Sequence, residues 1–184
     1  MDDGVINTAE HRVRKKVEGV YRLKRILVRT GLILFPLIPL LLGASVKVLS
    51  PLLWMTPVFL LVDVFILRYF FRYVDIEYEY AVVSGSLRVD IVYGNERRKS
   101  WLEVKFKDMS VIAPYSGEYT SAADDPSIKN RYEAVSSLTA PDCYYGTFND
   151  DSGERSVIFF EPTNKILSLA KLYNKSTVIR TMSK

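Results

Sequence analysis

The stretch VDIEYEYAVVSGSLRVDIVYGNERRKSWLEVKF, residues 74–106, decides the fold of the larger part of this chain. Apolar residues occupy every second position in its first two runs, and charged residues lie between them. Such alternation predicts strands with one buried face. The glycine-bearing turns Ser84-Gly85 and Gly94-Asn95 separate the runs, which predicts an antiparallel meander of three strands.

Further short runs continue this pattern toward the C-terminus. Pro162 then precedes apolar residues at helical spacing as far as Asn174, which predicts one amphipathic helix. A polar, turn-rich segment, residues 116–130, is expected to form a long loop. The later strands are predicted around Ser110–Tyr115, Tyr132–Ser137, Tyr144–Phe148 and Ser156–Glu161. About seven antiparallel strands closed by one helix is the mostly β, α+β plan of a pleckstrin-homology-like (PH-like) domain, which we assign to residues 72–184.

Two apolar stretches precede this domain. The first, TGLILFPLIPLLLGASV at residues 30–46, has no charged residue, and the second, VLSPLLWMTPVFLLVDVFIL at residues 48–67, has only Asp63. A membrane-spanning helix needs about 17–25 apolar residues, and both stretches reach that length. The link between them is too short for a domain. The sequence therefore predicts a transmembrane helical hairpin over residues 30–71.

Flanking charge predicts the orientation of this hairpin. Basic residues precede the first helix and follow the second, whereas the connecting loop carries only Lys47. Because positive residues favour the cytoplasmic side, we expect both termini to be cytoplasmic at a bacterial inner membrane. The alternative is a signal peptide cleaved near Leu42-Gly43-Ala44. A long leader and a second apolar stretch immediately downstream disfavour it.

Residues 1–29 form a basic leader. Val13, Val17, Val20 and other apolar residues recur mostly at three- and four-residue spacings, which predicts an amphipathic helix. Its cations act either as a topology signal and interfacial anchor or in recognition of anionic lipids. A second basic run lies in the third predicted strand, where it either contacts lipid phosphates or protects a strand edge. The candidate lipid-facing residues are Arg22, Lys24, Arg25, Arg97, Arg98 and Lys99.

Asp63 is the one ionisable residue inside the two apolar stretches. A charge at the bilayer centre is costly, so such residues are functional candidates. Counting across the hairpin places Asp63 opposite residues 32–35, near the Leu32 carbonyl that Pro36 leaves without its helical partner. Asp63 therefore either donates to that carbonyl, pairs with Arg29, or contacts another membrane subunit. A proton- or ion-translocating role is disfavoured, since one carboxylate makes no relay.

The remaining composition argues against catalysis and nucleic-acid binding. One cysteine and one histidine cannot build a zinc site of the Cys and His type within one chain. Residues 1–30 carry eight Lys/Arg against four Asp/Glu, whereas residues 72–184 carry fifteen against sixteen, so the domain has no positive field for nucleic acid. Asp124-Asp125 and Asp150-Asp151 lie in turn-like segments, where Asp is favoured locally. We expect no enzyme activity, metal, cofactor or small-molecule substrate.

A set of motifs in the domain resembles one known family. The residues that carry the resemblance are Tyr78-Glu79-Tyr80, Gly85, Leu87, Asp90, Arg98-Lys99 and Ala113-Pro114. They are similar to a family of membrane proteins of clostridia and related Firmicutes that is classed as a domain of unknown function. The resemblance implies two N-terminal membrane helices followed by a β-rich cytoplasmic domain. It implies no catalytic residue.

Two functions are compatible with these patterns. The first is a membrane-anchored interaction or scaffold module whose PH-like domain binds a protein partner. The second is an accessory subunit of a larger membrane complex, such as a transporter, with Asp63 and the helix prolines at the shared surface. The lipid bilayer is a partner in both.

Overall fold

The structure, a computed structural model, describes residues 8–45, 47–94 and 97–179. The chain forms two compact units. One unit holds most of the strands and comprises Met1–Lys16, Glu77–Val92 and Arg97–Lys184; the other holds the apolar helices and comprises Val17–Ile76 and Tyr93–Glu96. The outermost parts of the expected leader and of the expected PH-like domain, residues 1–7 and 180–184, lie outside the described residues.

The first sheet contains a strand that the sequence did not predict. Residues Thr8–Arg14 were expected to belong to a leader helix, and that expectation was wrong: they form a strand antiparallel to residues 77–83. Ala9 and Val13 are buried on one face, and Arg12 on the other face pairs with Glu79 at 3.3 Å. The strand order is β1 (Thr8–Arg14), β2 (Ile76–Val83), β3 (Ser86–Tyr93) and β4 (Arg97–Lys105).

The second sheet was expected to be wholly antiparallel, and it is not. Its strands β5 and β7 and its strands β7 and β8 pair antiparallel, but β6 pairs with β8 in parallel. After β6 the chain forms β7 on the far side of the β8 position and then returns as β8 between the two. Strands β6 and β8 therefore run in the same direction. The described residues thus form eight strands, not seven. The strands of this sheet are β5 (Met109–Pro114), β6 (Asn130–Ala134), β7 (Tyr144–Asn149) and β8 (Arg155–Phe160).

Tyr80 connects the two sheets. Its side chain is fully buried on β2, and its hydroxyl donates to the carbonyl oxygen of Ala134 on β6. The same hydroxyl accepts a hydrogen bond from the N–H of Glu161 at 3.3 Å. Burial raises the pKa of Tyr80 well above its usual value, so the hydroxyl stays protonated and able to donate.

A C-terminal helix, α4 (Asn164–Tyr173), packs at the β2–β3 turn, as the sequence predicted. Gly85 in this turn has a φ of 81°, and a Cβ there would lie 2.7 Å from the ring of Tyr173. Beyond the helix, Asn174 donates to the carbonyl oxygens of Phe106 at 2.8 Å and Met109 at 2.9 Å. At position 85, both the positive φ and the nearby ring of Tyr173 on α4 require glycine.

Three helices that precede α4 in the chain form the second unit: α1 (Gly19–Leu34), α2 (Leu37–Ser45) and α3 (Pro51–Val74). Pro36 separates α1 from α2, as a proline inside an apolar run is expected to do. The rings of Phe35 and Phe59 meet edge to face at 6.2 Å. A Cβ at Gly43 would lie 2.9 Å from Cγ of Leu53, so the helices approach closely there. Taken together, most of α1 and all of α2 form the stretch Arg22–Ser45, which is long and apolar enough to cross a membrane, with mean hydropathy 2.1; within α3, Leu53–Ile66 is a shorter apolar segment.

Candidate functional site

A cleft of about 630 Å³ opens beside strand β4. Part of the lining is the second half of β4, where Trp101 and Leu102 are half-buried and Val104 is buried. The lining also includes Tyr132 of β6 and the end of β7 with the turn that follows it. The lining residues are Ser86, Trp101, Leu102, Glu103, Val104, Lys105, Asp108, Tyr132, Phe148, Asn149, Asp150, Asp151 and Ser152.

Aromatic rings form the base of the cleft. Trp101 is half-buried and stacks on Tyr78, with ring centroids 5.9 Å apart. The rings of Trp101 and Tyr132 meet edge to face with centroids 5.6 Å apart, and Tyr132 stacks on Phe148 with centroids 6.2 Å apart. Each of these pairs has a geometry that aromatic quadrupoles favour. The indole is therefore held in place while part of it still faces the cleft.

The cleft is strongly acidic. Four of its lining residues carry carboxylates, and the lining contains a single cation, Lys105. Asp108 and Asp151 are exposed, whereas Glu103 accepts a hydrogen bond from Ser86 at 2.9 Å. The site thus attracts cations and repels phosphate. The four carboxylates are those of Glu103, Asp108, Asp150 and Asp151.

Asp150 builds the turn at the mouth of the cleft. Its Oδ1 accepts from the N–H groups of Glu154 at 2.9 Å and Ser152 at 3.0 Å, and its Oδ2 accepts from Asn130 at 2.8 Å. These bonds, the one from Glu154 first, hold the pKa of Asp150 below its usual value. Its negative charge therefore persists throughout the physiological pH range.

Strand β4 is an edge strand of the first sheet, since only β3 neighbours it there among the described residues. Its first half carries Arg97, Arg98 and Lys99, all exposed. Nη2 of Arg98 lies 2.7 Å from Oε2 of Glu79, so this cation is already paired. The structure thus places the three basic residues along a strand edge, the position in which charges discourage unwanted pairing. Lipid contact by Arg97 and Lys99 stays a prediction.

The other predicted residues lie in the helical unit. Arg22, Lys24 and Arg29 are exposed on α1, and Arg25 is half-buried with its Nε lacking a hydrogen bond among the described residues. On α3, Asp63 is only 6% exposed, and its Oδ1 is buried without a hydrogen-bond partner in the described part of the chain.

The structure shows no strong candidate for nucleophilic or metal chemistry in its described ranges. Cys143 is buried, and burial raises the pKa of its thiol to about 12, which disfavours the reactive thiolate. No group of three His, Cys, Asp or Glu residues with metal-binding geometry occurs in the described residues. We therefore take the cleft beside β4 as the candidate site among the described residues.

Sequence reasoning missed this cleft. It treated Asp150-Asp151 only as turn residues and did not connect them with Trp101, because the two segments meet only in the folded chain.

Two sheets joined through Tyr80 and a C-terminal helix packed at the β2–β3 turn define a PH-like domain. Domains of this class generally mediate lipid or protein interactions. Residues 8–180 match a family model described as a bacterial PH-like domain (DUF6106), and the chain belongs to this family. The match covers β1, which the sequence had assigned to a separate leader. No curated protein and no solved structure matches the chain. The clostridial or Firmicutes origin stays a prediction.

Proposed function

We propose that this protein is a membrane-anchored interaction module, whose PH-like domain binds a protein partner at the cytoplasmic face of a bacterial inner membrane. One observation carries the proposal: the apolar helices are inserted between two paired strands of the PH-like domain. Strand β1 ends at Arg14, the helices extend from Gly19 to Val74, and β2 begins at Ile76. The anchor is therefore inserted in the chain between two neighbouring strands of one sheet.

This insertion supports a hairpin over a single crossing. Arg14 pairs with Glu77 in the β1–β2 register, so the chain leaves the sheet and returns to it at neighbouring positions. A ladder of paired strands cannot extend across the hydrocarbon core with its edges exposed, so both positions lie on one side of the bilayer. Two crossings satisfy this condition and one does not. Signal-peptide cleavage near Ala44 would also remove β1 from the sheet.

Charge supports the cytoplasmic side. Arg22, Lys24, Arg25 and Arg29 lie on α1, at the end of the helical unit that is connected to the sheet. Lys47 is the one Lys or Arg in the connection between the two apolar stretches. Labelling with a membrane-impermeant maleimide, in a Cys143→Ser background, should modify a cysteine replacing Lys47 and spare one replacing Ser116. The reverse pattern would contradict the orientation.

A protein partner is favoured over a lipid headgroup by the charge of the domain. The β2–β3 turn, Val83 to Ser86, has no basic residue, and Tyr173 packs directly on Gly85. The cleft beside β4 is acidic and repels phosphate. Neither of these two places is a cationic pocket of the kind that phosphoinositides need.

Site-specific photo-crosslinking in intact cells tests the proposal against the accessory-subunit alternative. A photoreactive residue replaces either exposed Glu103 in the domain or exposed Trp54 on α3, in the full chain. The interaction module predicts one discrete crosslinked protein from position 103. The accessory-subunit alternative predicts a discrete crosslinked protein from position 54 only. Crosslinks to lipid alone from both positions would contradict both functions.

A further inference from the structure

We propose that the cleft beside β4 binds an extended, basic peptide segment, which adds as a new strand along Trp101–Lys105. The proposal rests on the function proposed above and names the chemistry of the partner. Edge addition of this kind gains affinity from main-chain hydrogen bonds and specificity from pockets for alternate side chains. Three features of the site support it: the open edge, the charge and the aromatic base.

The two halves of β4 carry different side chains along the free edge of the sheet. The first half carries three consecutive cations, which discourage a further strand. The second half begins at Trp101 and opens onto the cleft, with Lys105 as its one basic residue. Outside its pairing with β3, no backbone hydrogen bond to residues 101–105 occurs in the described chain. About five residues of a guest strand, about 17 Å long, fit this open half.

The charge of the cleft selects a cationic guest. Four carboxylates face one lysine, and the low pKa of Asp150 keeps that part of the charge in place. Asp108 and Asp151 stand exposed on two different segments of the rim, where they can pair with basic side chains. An acidic segment, a free phosphate or a lipid headgroup would be repelled by the same field.

The aromatic base suits the same guest. A lysine or arginine has a long aliphatic stem that packs on an aromatic face while its charge remains near carboxylates. Trp101 is fixed between Tyr78 and Tyr132, so binding need not order it. Side chains of a guest strand alternate in direction, so every second residue faces this base.

The experiment uses the full chain in nanodiscs of phosphatidylcholine, which has no net charge to attract a basic peptide. The probe is a fluorescent peptide of about eight residues in which lysine alternates with valine and threonine. A peptide with glutamate in place of lysine is the charge control. Two further peptides carry N-methyl groups either on all lysine amides or on all valine and threonine amides. Because alternate N–H groups point to opposite sides of a strand, only one of the two can still pair with β4.

Charge-reversed variants locate the binding site. Asp108→Lys and Asp151→Lys should each weaken binding of the basic peptide about tenfold, measured by fluorescence anisotropy. Asp142→Lys is the matched control, because Asp142 is also exposed and does not line the cleft, and because the substitution changes the net charge by the same amount. It should weaken binding less than about twofold. Hydrogen exchange should slow within residues 101–105 on binding.

Three results would overturn the proposal: no saturable binding of the basic peptide, equal loss of binding in all three variants, or equal binding of the two N-methylated peptides. The proposed function has a separate readout. If position 103 crosslinks to a protein while the peptide does not bind, the interaction module stands and the strand-addition site is wrong.

Discussion

Replacing Tyr80 by phenylalanine should destabilise the PH-like domain without changing its shape. The substitution removes one hydroxyl and leaves the fully buried ring in place. It deprives the Ala134 carbonyl of a donor and the Glu161 N–H of an acceptor. A buried polar group left without its partner costs about 1–3 kcal/mol. The Glu161 bond is long, at 3.3 Å, so the loss should fall within that single range and not double it.

The measurement is urea unfolding of the full chain in mild detergent, comparing midpoints at unchanged slope. Tyr132→Phe is the control, since no hydrogen bond of the Tyr132 hydroxyl occurs in the described structure and the ring is only half-buried. It should change stability by less than about 0.5 kcal/mol. If the two variants were equally stable, Tyr80 would not join the sheets through its hydroxyl.

The pH dependence of unfolding gives an independent check. Burial raises the pKa of Tyr80 in the folded state, so the folded protein keeps its proton when the unfolded chain has lost it. The stability that this provides is complete below about pH 10, the usual tyrosine value, and declines as the pH rises above it. Tyr80→Phe should therefore flatten the alkaline loss of stability relative to the wild type. An unchanged alkaline slope would contradict the assignment.

Three further predictions concern single sites. Gly85→Ala should lower the unfolding midpoint clearly, because it strains a φ of 81° and drives a methyl group into Tyr173; an unchanged midpoint would show that the turn can relax. Asp63→Asn should leave protein yield in membranes near wild type, because an amide also donates and interhelical hydrogen bonds average only about 0.6 kcal/mol; a severe loss would indicate an ion pair. Cys143 should resist alkylation by iodoacetamide in the folded protein and react fully in urea, since burial raises its thiol pKa to about 12. Rapid modification without urea would contradict its burial.

Local patterns predicted the elements whose neighbours in space are also neighbours in sequence. The β2–β3 turn at Ser84-Gly85 and helix α4 lie where alternation, glycine and Pro162 indicated. Thr163 accepts a hydrogen bond from the N–H of Ile166 at 3.3 Å and caps that helix, so its start was encoded locally. These features need no knowledge of the rest of the chain.

The features that the sequence did not predict depend on distant partners. Strand β1 has alternating residues, but the basic helix pattern that continues beyond Gly19 outweighed seven residues of alternation. Its partner β2 comes only after the helices, and β6 lies parallel to a strand that follows β7. The cleft likewise combines Trp101 with a turn about fifty residues further along the chain. No local periodicity contains such information.

The insertion of the helices into the sheet has a consequence for the order in which the protein is made. Ribosomes synthesise Thr8–Arg14 first, and that strand remains without its neighbour until residues 77–83 have emerged. Between these events the apolar helices are synthesised and, on our proposal, enter the bilayer. The sheet can close only if the chain has returned to the side from which it left. The β1–β2 pair can therefore form only after the anchor has been inserted correctly. A chain whose second crossing failed would keep β1 unpaired and open to proteolysis.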